Sequence, residues 1–342
     1  MLGESAFGKG KRDMYHLCRM NLSICLFFPY EQVQDAQKGD ETPVRGDSRR
    51  LHSTFLRPLS FSLFFSTIFE KQVENLALFW YNDPTETKKK RRCPQLVWIQ
   101  PLAARRNAMN ELIAKGLADL NLPTDAAPAL ARYGTLLVEQ NQVMNLTAIT
   151  DPVQVARLHM LDCAAILQAA DLTGGKRLLD VGTGAGFPGM VLKLVQPELD
   201  LTLLDSLDKR IQWLTRLAPE LGAEGVRAVH GRAEELAVQP EWREQFDVVT
   251  SRAVADLRML CELCLPFVKV GGVFLAMKAE DCTEEVNAAS RAVSLLGGRL
   301  LPAYSYTIPG TNVTRKVVRI QKEKETPAKY PRRFSKMKKQ PL

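Results

Sequence analysis

The residues best placed for chemistry stand in residues 178–190, LLDVGTGAGFPGM, where Gly182, Gly184, Gly186 and Gly189 follow an apolar run ending in Asp180 and Val181. Glycine lets the backbone approach a ligand closely, so the stretch reads as a nucleotide grip. The spacing Gly184-x-Gly186-x-x-Gly189 matches the dinucleotide fingerprint, which is a weak signal without its context. A pyrophosphate would sit at the start of the helix after the loop, and the charge of Asp180 beside it would repel that group. A cationic ligand suits Asp180 better, such as the amino group or sulfonium of S-adenosyl-L-methionine. Asp205, at the end of the next apolar run, is placed to accept hydrogen bonds from two ribose hydroxyls and fits NAD equally well. Ala233 and Glu234, in HGRAEEL, fall where an adenine would lie, and Glu234 reads equally as an exposed acid early in a helix.

Other chemical candidates are fewer. His159 and Asp162 stand one helical turn apart and invite an acid–base pairing, though a helix-packing or RNA-positioning histidine is the commoner case. Cys261 and Cys264 share one face of an apolar helix and read as core, with no second ligand pair to make a metal or redox site. No metal is expected.

These residues need a scaffold, and the sequence supplies an alternating one. Strands are predicted over residues 177–181, 201–205, 226–230, 246–250 and 272–278, with helices over 188–195, 207–221, 254–268 and 283–296. Such alternation predicts a parallel sheet covered by helices on both faces, with ligands beyond the carboxyl ends of its strands. Ser206 and Gly222 are the expected caps of the 207–221 helix, and Gly297 ends the last one. Residues 300–308 and 313–321, joined by Pro309-Gly310-Thr311-Asn312, predict a terminal antiparallel hairpin and a total of seven strands. Ahead of the sheet, residues 127–139 and a segment opened by Asp151-Pro152 predict a helical region.

Four parts are therefore expected: a poorly structured extension over 1–108, a helical segment over 109–172, the sheet domain over 173–322 and a basic tail over 323–342. Residues 1–108 lack a sustained period and carry TKKKRR at 87–92, and translation is expected to begin at Met109. Of 342 residues, 46% are hydrophobic and 25% charged, the balance of an ordinary globular protein. No apolar run reaches the roughly 18 residues needed to cross a bilayer. Seven scattered cysteines and the absence of a secretory signal fit a reducing cytosol, and a cytoplasmic protein acting as a monomer is expected. The net charge of +8 is uneven: residues 109–321 are net −4, and residues 322–342 are net +6. A mildly acidic body with a basic end suggests a polyanionic partner or a solvated tail.

Several motifs then occur in a set order: NLTAITDP at 145–152, HMLD at 159–162, DVGTGAGFPG at 180–189, LLDSLDKR at 203–210, GRAEE at 231–235, FDVVTSRAVADL at 246–257 and YPRRFSKMKKQPL at 330–342. On this series residues 109–342 resemble the glucose-inhibited division protein B family, bacterial 16S rRNA guanine-N7 methyltransferases that use S-adenosyl-L-methionine. The resemblance implies a class I methyltransferase, a Rossmann-like α/β sheet with a helical N-terminal segment. It also implies cofactor contacts at Gly182, Phe187, Ala233, Glu234 and Arg252, beside Asp180, Gly184, Gly186 and Asp205 from the residue reading. The implied partner is 16S rRNA or the small ribosomal subunit at its decoding-centre loop. The sequence departs from the family at Gln140, where tryptophan is common, and at Lys278-Ala279, where Lys-Gly is usual.

Guanine N7 has a free lone pair and no proton, so transfer to it needs alignment rather than a base, and no catalytic acid or base is expected. The sequence after the fourth strand, TSRA at 250–253, lacks the Asn/Asp-Pro-Pro-aromatic loop of exocyclic-amine methylation. Arg252 is the candidate for orienting the guanine O6 or the cofactor carboxylate. The expected RNA footprint is His159, Arg315, Lys316 and Arg319 with Arg332, Arg333, Lys336, Lys338 and Lys339 of the tail. An NAD-dependent oxidoreductase is disfavoured by Asp180 and the terminal hairpin. A non-catalytic nucleotide-binding regulatory module remains as the other alternative.

Overall fold

The computed structural model describes residues 102–252 and 255–342. The expected extension, with its basic run at 87–92, lies outside the described residues apart from 102–108. Those last residues belong to helix α1, Leu102–Asp119, which crosses the boundary expected at Met109. Met109 is buried in the helix, with its Sδ against Gly134.

Helix α2, Ala127–Met144, packs on α1, burying Leu130, Tyr133 and Leu137 at the spacing of one helical face. It ends at Asn145 in the left-handed conformation, a residue type that tolerates it. Asp151 then caps α3, Pro152–Val155, its carboxylate accepting from the Gln154 N–H at 2.9 Å. The chain continues as a π-helical turn, Ala156–Leu161, into the short α4, Asp162–Ala164. The wider turn alters the angular offset between His159 and Asp162 that a regular helix would set.

The strands are β1 Arg177–Val181, β2 Asp200–Asp205, β3 Arg227–His230, β4 Phe246–Arg252, β5 Val268–Ala279, β6 Gly298–Leu300, β7 Tyr304–Thr307 and β8 Thr314–Lys322. They form one sheet in the order β3-β2-β1-β4-β5-β8-β6, with β7 also on β8. Strand β8 runs antiparallel to β5, β6 and β7, whereas β1 to β5 pair in parallel. Eight strands replace the seven expected, because Leu301-Pro302-Ala303 interrupts the first arm of the hairpin. Proline offers no N–H to a sheet ladder, so the arm splits into β6 and β7, which pair with successive parts of β8.

Helices α5 Gly189–Val195, α6 Asp208–Glu220, α7 Ala233–Leu236, α8 Leu257–Cys264 and α9 Thr283–Leu295 connect the strands. Two apolar clusters result, one on each face. Leu178 enters the cluster of α1, α2, α5 and α6, and its neighbour Leu179 enters that of α8 and α9, as strand alternation dictates. Cys261 and Cys264 are free and buried in the second cluster. Ser206 does not cap α6: Leu207 occupies the cap position and no side chain bonds there.

The residues expected as a separate basic tail are instead part of the fold. Tyr330 and Met337 are buried in the second cluster, the latter on α10, Phe334–Lys339. Arg243 donates to the carbonyls of Thr326 and Tyr330, and Lys322 is buried with its Nζ bonding Leu265 O at 2.7 Å and Thr326 Oγ1 at 2.6 Å. Burial holds the Lys322 ammonium down to about 8, against the pull of Glu244 Oε1 at 3.1 Å.

Candidate functional site

The carboxyl ends of β1, β2 and β4 open into a cleft of about 400 Å³, lined on one side by Gly182, Thr183, Gly184, Ala185 and Phe187 of the glycine loop; Gly186, expected among the cofactor contacts, lies outside this lining. Asp205, Ser206 and Arg210 form a second side, and Leu146, Thr147, His159 and Arg252 the remainder. Gly182 and Thr183 donate to Leu204 O at 2.8 and 3.0 Å, which ties the loop to β2. Gly186 has φ +96°, and a Cβ on it would stand 2.6 Å from Tyr133 Oη and 2.9 Å from Leu214 Cδ2. Only glycine meets both demands there.

Asp180 lies under the loop rather than in the cleft. Its fully buried carboxylate accepts from Thr183 Oγ1 at 2.6 Å, the Gly189 N–H at 3.0 Å and Thr250 Oγ1 at 3.2 Å. Burial raises its pKa to about 6, and those three bonds moderate the rise. The direct contact to a cationic ligand expected of Asp180 is therefore replaced by a structural task, holding β1, the loop, α5 and β4 together. Asp205 lines the cleft as expected, accepting from Gly184 N at 2.9 Å, Leu207 N at 2.9 Å and Arg210 Nη1 at 3.3 Å.

A stack of rings crosses the cleft wall. Tyr133 of α2 stacks on Phe187 at 5.2 Å, and His159 stacks on the same ring at 4.7 Å. The Arg252 guanidinium sits 4.7 Å from the Phe187 centroid, within cation–π range. Tyr133 Oη donates to Ala185 O, so the helical segment grips the loop from behind. Tyr133 was absent from the sequence-based candidates; its buried position on α2 showed only an apolar periodicity.

Arg252, at the end of β4, is more committed than the sequence suggested. It donates to His159 Nδ1 at 3.2 Å and Leu158 O at 3.4 Å, and lies 3.8 Å from Asp162 Oδ2. His159 and Asp162 thus converge on Arg252 and do not pair with each other. Burial, and then the adjoining guanidinium, hold the His159 imidazole down at about 4. Asp162 accepts from Tyr306 Oη at 2.7 Å, and burial holds its pKa above the usual carboxylate value.

The other expected residues fall into two groups. Ala233 and Glu234 open α7 outside the residues that line the cleft, and Glu234 accepts from Arg232 Nε at 2.7 Å. Several expected RNA contacts are engaged inside the protein. Arg315 faces Asp162 Oδ1 at 3.9 Å, and Arg319 donates to Pro302 O at 2.8 Å and Ala169 O at 3.0 Å. Arg332 makes a two-point pair with the buried Glu262, at 2.8 Å from Nε and 2.6 Å from Nη2. A two-point, charge-assisted pair of this kind is about twice as strong as a neutral hydrogen bond, and it occupies the Arg332 fork within the protein. Arg333, Lys336, Lys338 and Lys339 are exposed, and Lys316 is half-buried.

A parallel sheet closed by one reversed strand, with a glycine loop after β1 and an acid at the end of β2, defines the class I methyltransferase fold. Residues 126–312 match the model of the GidB family, rRNA small subunit methyltransferase G. The chain is 46% identical over 242 residues to ribosomal RNA small subunit methyltransferase G of Symbiobacterium thermophilum, covering 69% of this chain and 98% of that protein. It is 45% identical to the protein of that name from Alkaliphilus metalliredigens, over 62% and 89% of the two chains. The relative from Alkaliphilus oremlandii is 42% identical over 68% and 99%. The chain belongs to the rRNA small subunit methyltransferase G family.

Proposed function

We propose that this protein transfers the methyl group of S-adenosyl-L-methionine to N7 of a guanine in 16S rRNA, acting as a cytoplasmic monomer on the RNA or the small ribosomal subunit. Family membership supports the reaction class and the rRNA substrate. The observation that supports N7 is the absence, among the described residues lining the cleft, of a group free to take a proton. Asp205 accepts three bonds within the protein, and both ring nitrogens of His159 are engaged. N7 has no proton to lose, so alignment and exclusion of water suffice, an effect on the order of 7–11 kcal/mol when geometry is near ideal.

In this reading the glycine loop and Phe187 hold the methionine end of the cofactor, and Asp205 holds its ribose. When bound, the cofactor supplies an electrophilic methyl on a sulfonium. Arg252 and His159 order the wall that packs on Phe187, and Lys316, Arg333, Lys336, Lys338 and Lys339 offer phosphate contacts that position RNA without reading its sequence. The test is incubation with labelled S-adenosyl-L-methionine and undermodified small-subunit rRNA or subunits, followed by mass mapping. Label on guanine N7 is the expected result, and label elsewhere, or none, overturns the reading.

A further inference from the structure

The part of the cleft wall that packs on Phe187 contains a chain of hydrogen bonds whose proton positions are determined by the chemistry of its members. Arg252 Nη2 stands 3.2 Å from His159 Nδ1. A guanidinium only donates, so Nδ1 must accept. The ring is neutral at pH 7, which leaves its single proton on Nε2. His159 Nε2 stands 2.8 Å from Thr147 Oγ1 and therefore donates to it. Thr147 Oγ1 also accepts from the Ile149 N–H at 3.0 Å. A hydroxyl oxygen has two lone pairs, and both are now occupied. Among the described residues Thr147 Oγ1 donates to no protein group, and Thr147 lines the cleft. Its own proton is thus left pointing at whatever occupies the cleft.

The backbone around Thr147 is equally fixed. Asn141 Oδ1 accepts from the N–H groups of Leu146 and Thr147 at 2.6 and 2.9 Å, and Asn141 Nδ2 donates to Thr147 O at 2.9 Å. Thr147 lines the cleft but belongs to neither the glycine loop nor the end of β2, the elements assigned above to the cofactor, which leaves its hydroxyl for the acceptor of the methyl group. The imidazole edge of guanine presents N7 and O6, both acceptors, whereas adenine presents N7 beside an N6 donor. With N7 aimed at the methyl, a fixed hydroxyl donor beside it accepts guanine and opposes adenine.

We propose that Thr147 is a specificity-determining residue: its hydroxyl donates to O6 of the target guanine, and His159 and Arg252 are positioning residues that aim it. The assignment rests on the guanine-N7 reading above. Its test measures kcat/KM of the full-length protein on RNAs carrying guanine or 2-aminopurine at the mapped position. 2-Aminopurine keeps N7 and lacks O6, and its different intrinsic reactivity cancels when variants are compared. Thr147→Val is expected to lose about tenfold on guanine and little on 2-aminopurine, the worth of one net hydrogen bond. Thr147→Ser is expected to restore the discrimination, with cofactor affinity unchanged throughout.

Equal losses on both bases, or no loss, overturn the assignment while leaving the N7 reading intact. A fall in cofactor affinity that accounts for the loss assigns the hydroxyl to the cofactor and also overturns it. If the unsubstituted protein methylates no guanine N7, the functional reading fails and the assignment with it. Nitrogen-15 spectra of the unsubstituted protein supply a check independent of any variant: the His159 ring is expected as the Nε2–H tautomer, and an Nδ1–H ring refutes the relay.

Discussion

Replacing Arg332 by alanine distinguishes a cation that holds the protein together from one that holds RNA. Arg332 meets Glu262 through Nε and Nη2, and its backbone N–H bonds the same carboxylate at 2.8 Å. Glu262 is 1% exposed, so removing the guanidinium leaves a carboxylate without its counter-charge in the second apolar cluster. Breaking such a pair from one side costs about 3–5 kcal/mol, a large part of the roughly 5–15 kcal/mol that keeps a domain folded. With a urea slope of about 2 kcal/mol per molar, the unfolding midpoint should fall by about 2 M. Replacing both partners, Arg332→Met with Glu262→Leu, should recover most of that loss, because the desolvation of two charges disappears with them. Urea unfolding followed by tryptophan fluorescence measures both variants. At a temperature where Arg332→Ala remains folded, the salt dependence of its RNA binding should match that of the unsubstituted protein. An unchanged midpoint together with a shallower salt slope would refute the reasoning and return Arg332 to the RNA surface.

Other perturbations test the cleft and its supports. Tyr133→Phe removes the donor to Ala185 O, leaves a buried carbonyl unpaired, and should cost about 1–3 kcal/mol with weaker cofactor binding, measured by unfolding and titration calorimetry. Gly186→Ala sets a methyl against Tyr133 Oη at a backbone angle alanine resists, so it should abolish cofactor binding at temperatures where the chain still folds. His159 stays neutral in the folded protein down to about pH 4 while the unfolded ring takes a proton near 6.5. Its contribution is therefore lost as pH falls between those values, by about 3 kcal/mol, and the stability gap between the unsubstituted protein and His159→Gln should narrow accordingly between pH 7 and 4. Asp180 has the opposite sign: its raised pKa makes the folded state gain stability as pH falls from about 6 toward 3.8. Paired neutralisation of Lys338 and Lys339 should lower the slope of log affinity against log salt by about 1.4 for single-stranded RNA, leaving unfolding unchanged.

The strand and helix order was legible because burial writes it into the sequence. Residues 177–181 form a strand with the bounds that the apolar run suggested, and Pro152 after Asp151 marked a helix start that the capping bond confirms. The eighth strand was not legible: a single proline at 302 decides where β6 stops, and propensity over so short a span does not resolve it. The glycine loop and Asp205 were found from spacing, since backbone approach requires glycine wherever it occurs. The wall that packs on Phe187 was not. Tyr133, Thr147 and His159 meet through α2, a loop and a π-helical turn, and no periodicity in the chain predicts that a ring and a hydroxyl so separated will share a proton. Charge misled for a related reason. Arg332 and Lys339 look alike in a basic run, and only tertiary contact separates a buried fork from a solvated ammonium.

The three bonds gathered by Asp180 bear on the kinetics of the cycle. A loop pinned from beneath by one carboxylate already has its binding shape before any ligand arrives. Arrival then requires little ordering of the backbone, so the free-energy cost of association is small and encounter, rather than folding of the loop, sets the on-rate.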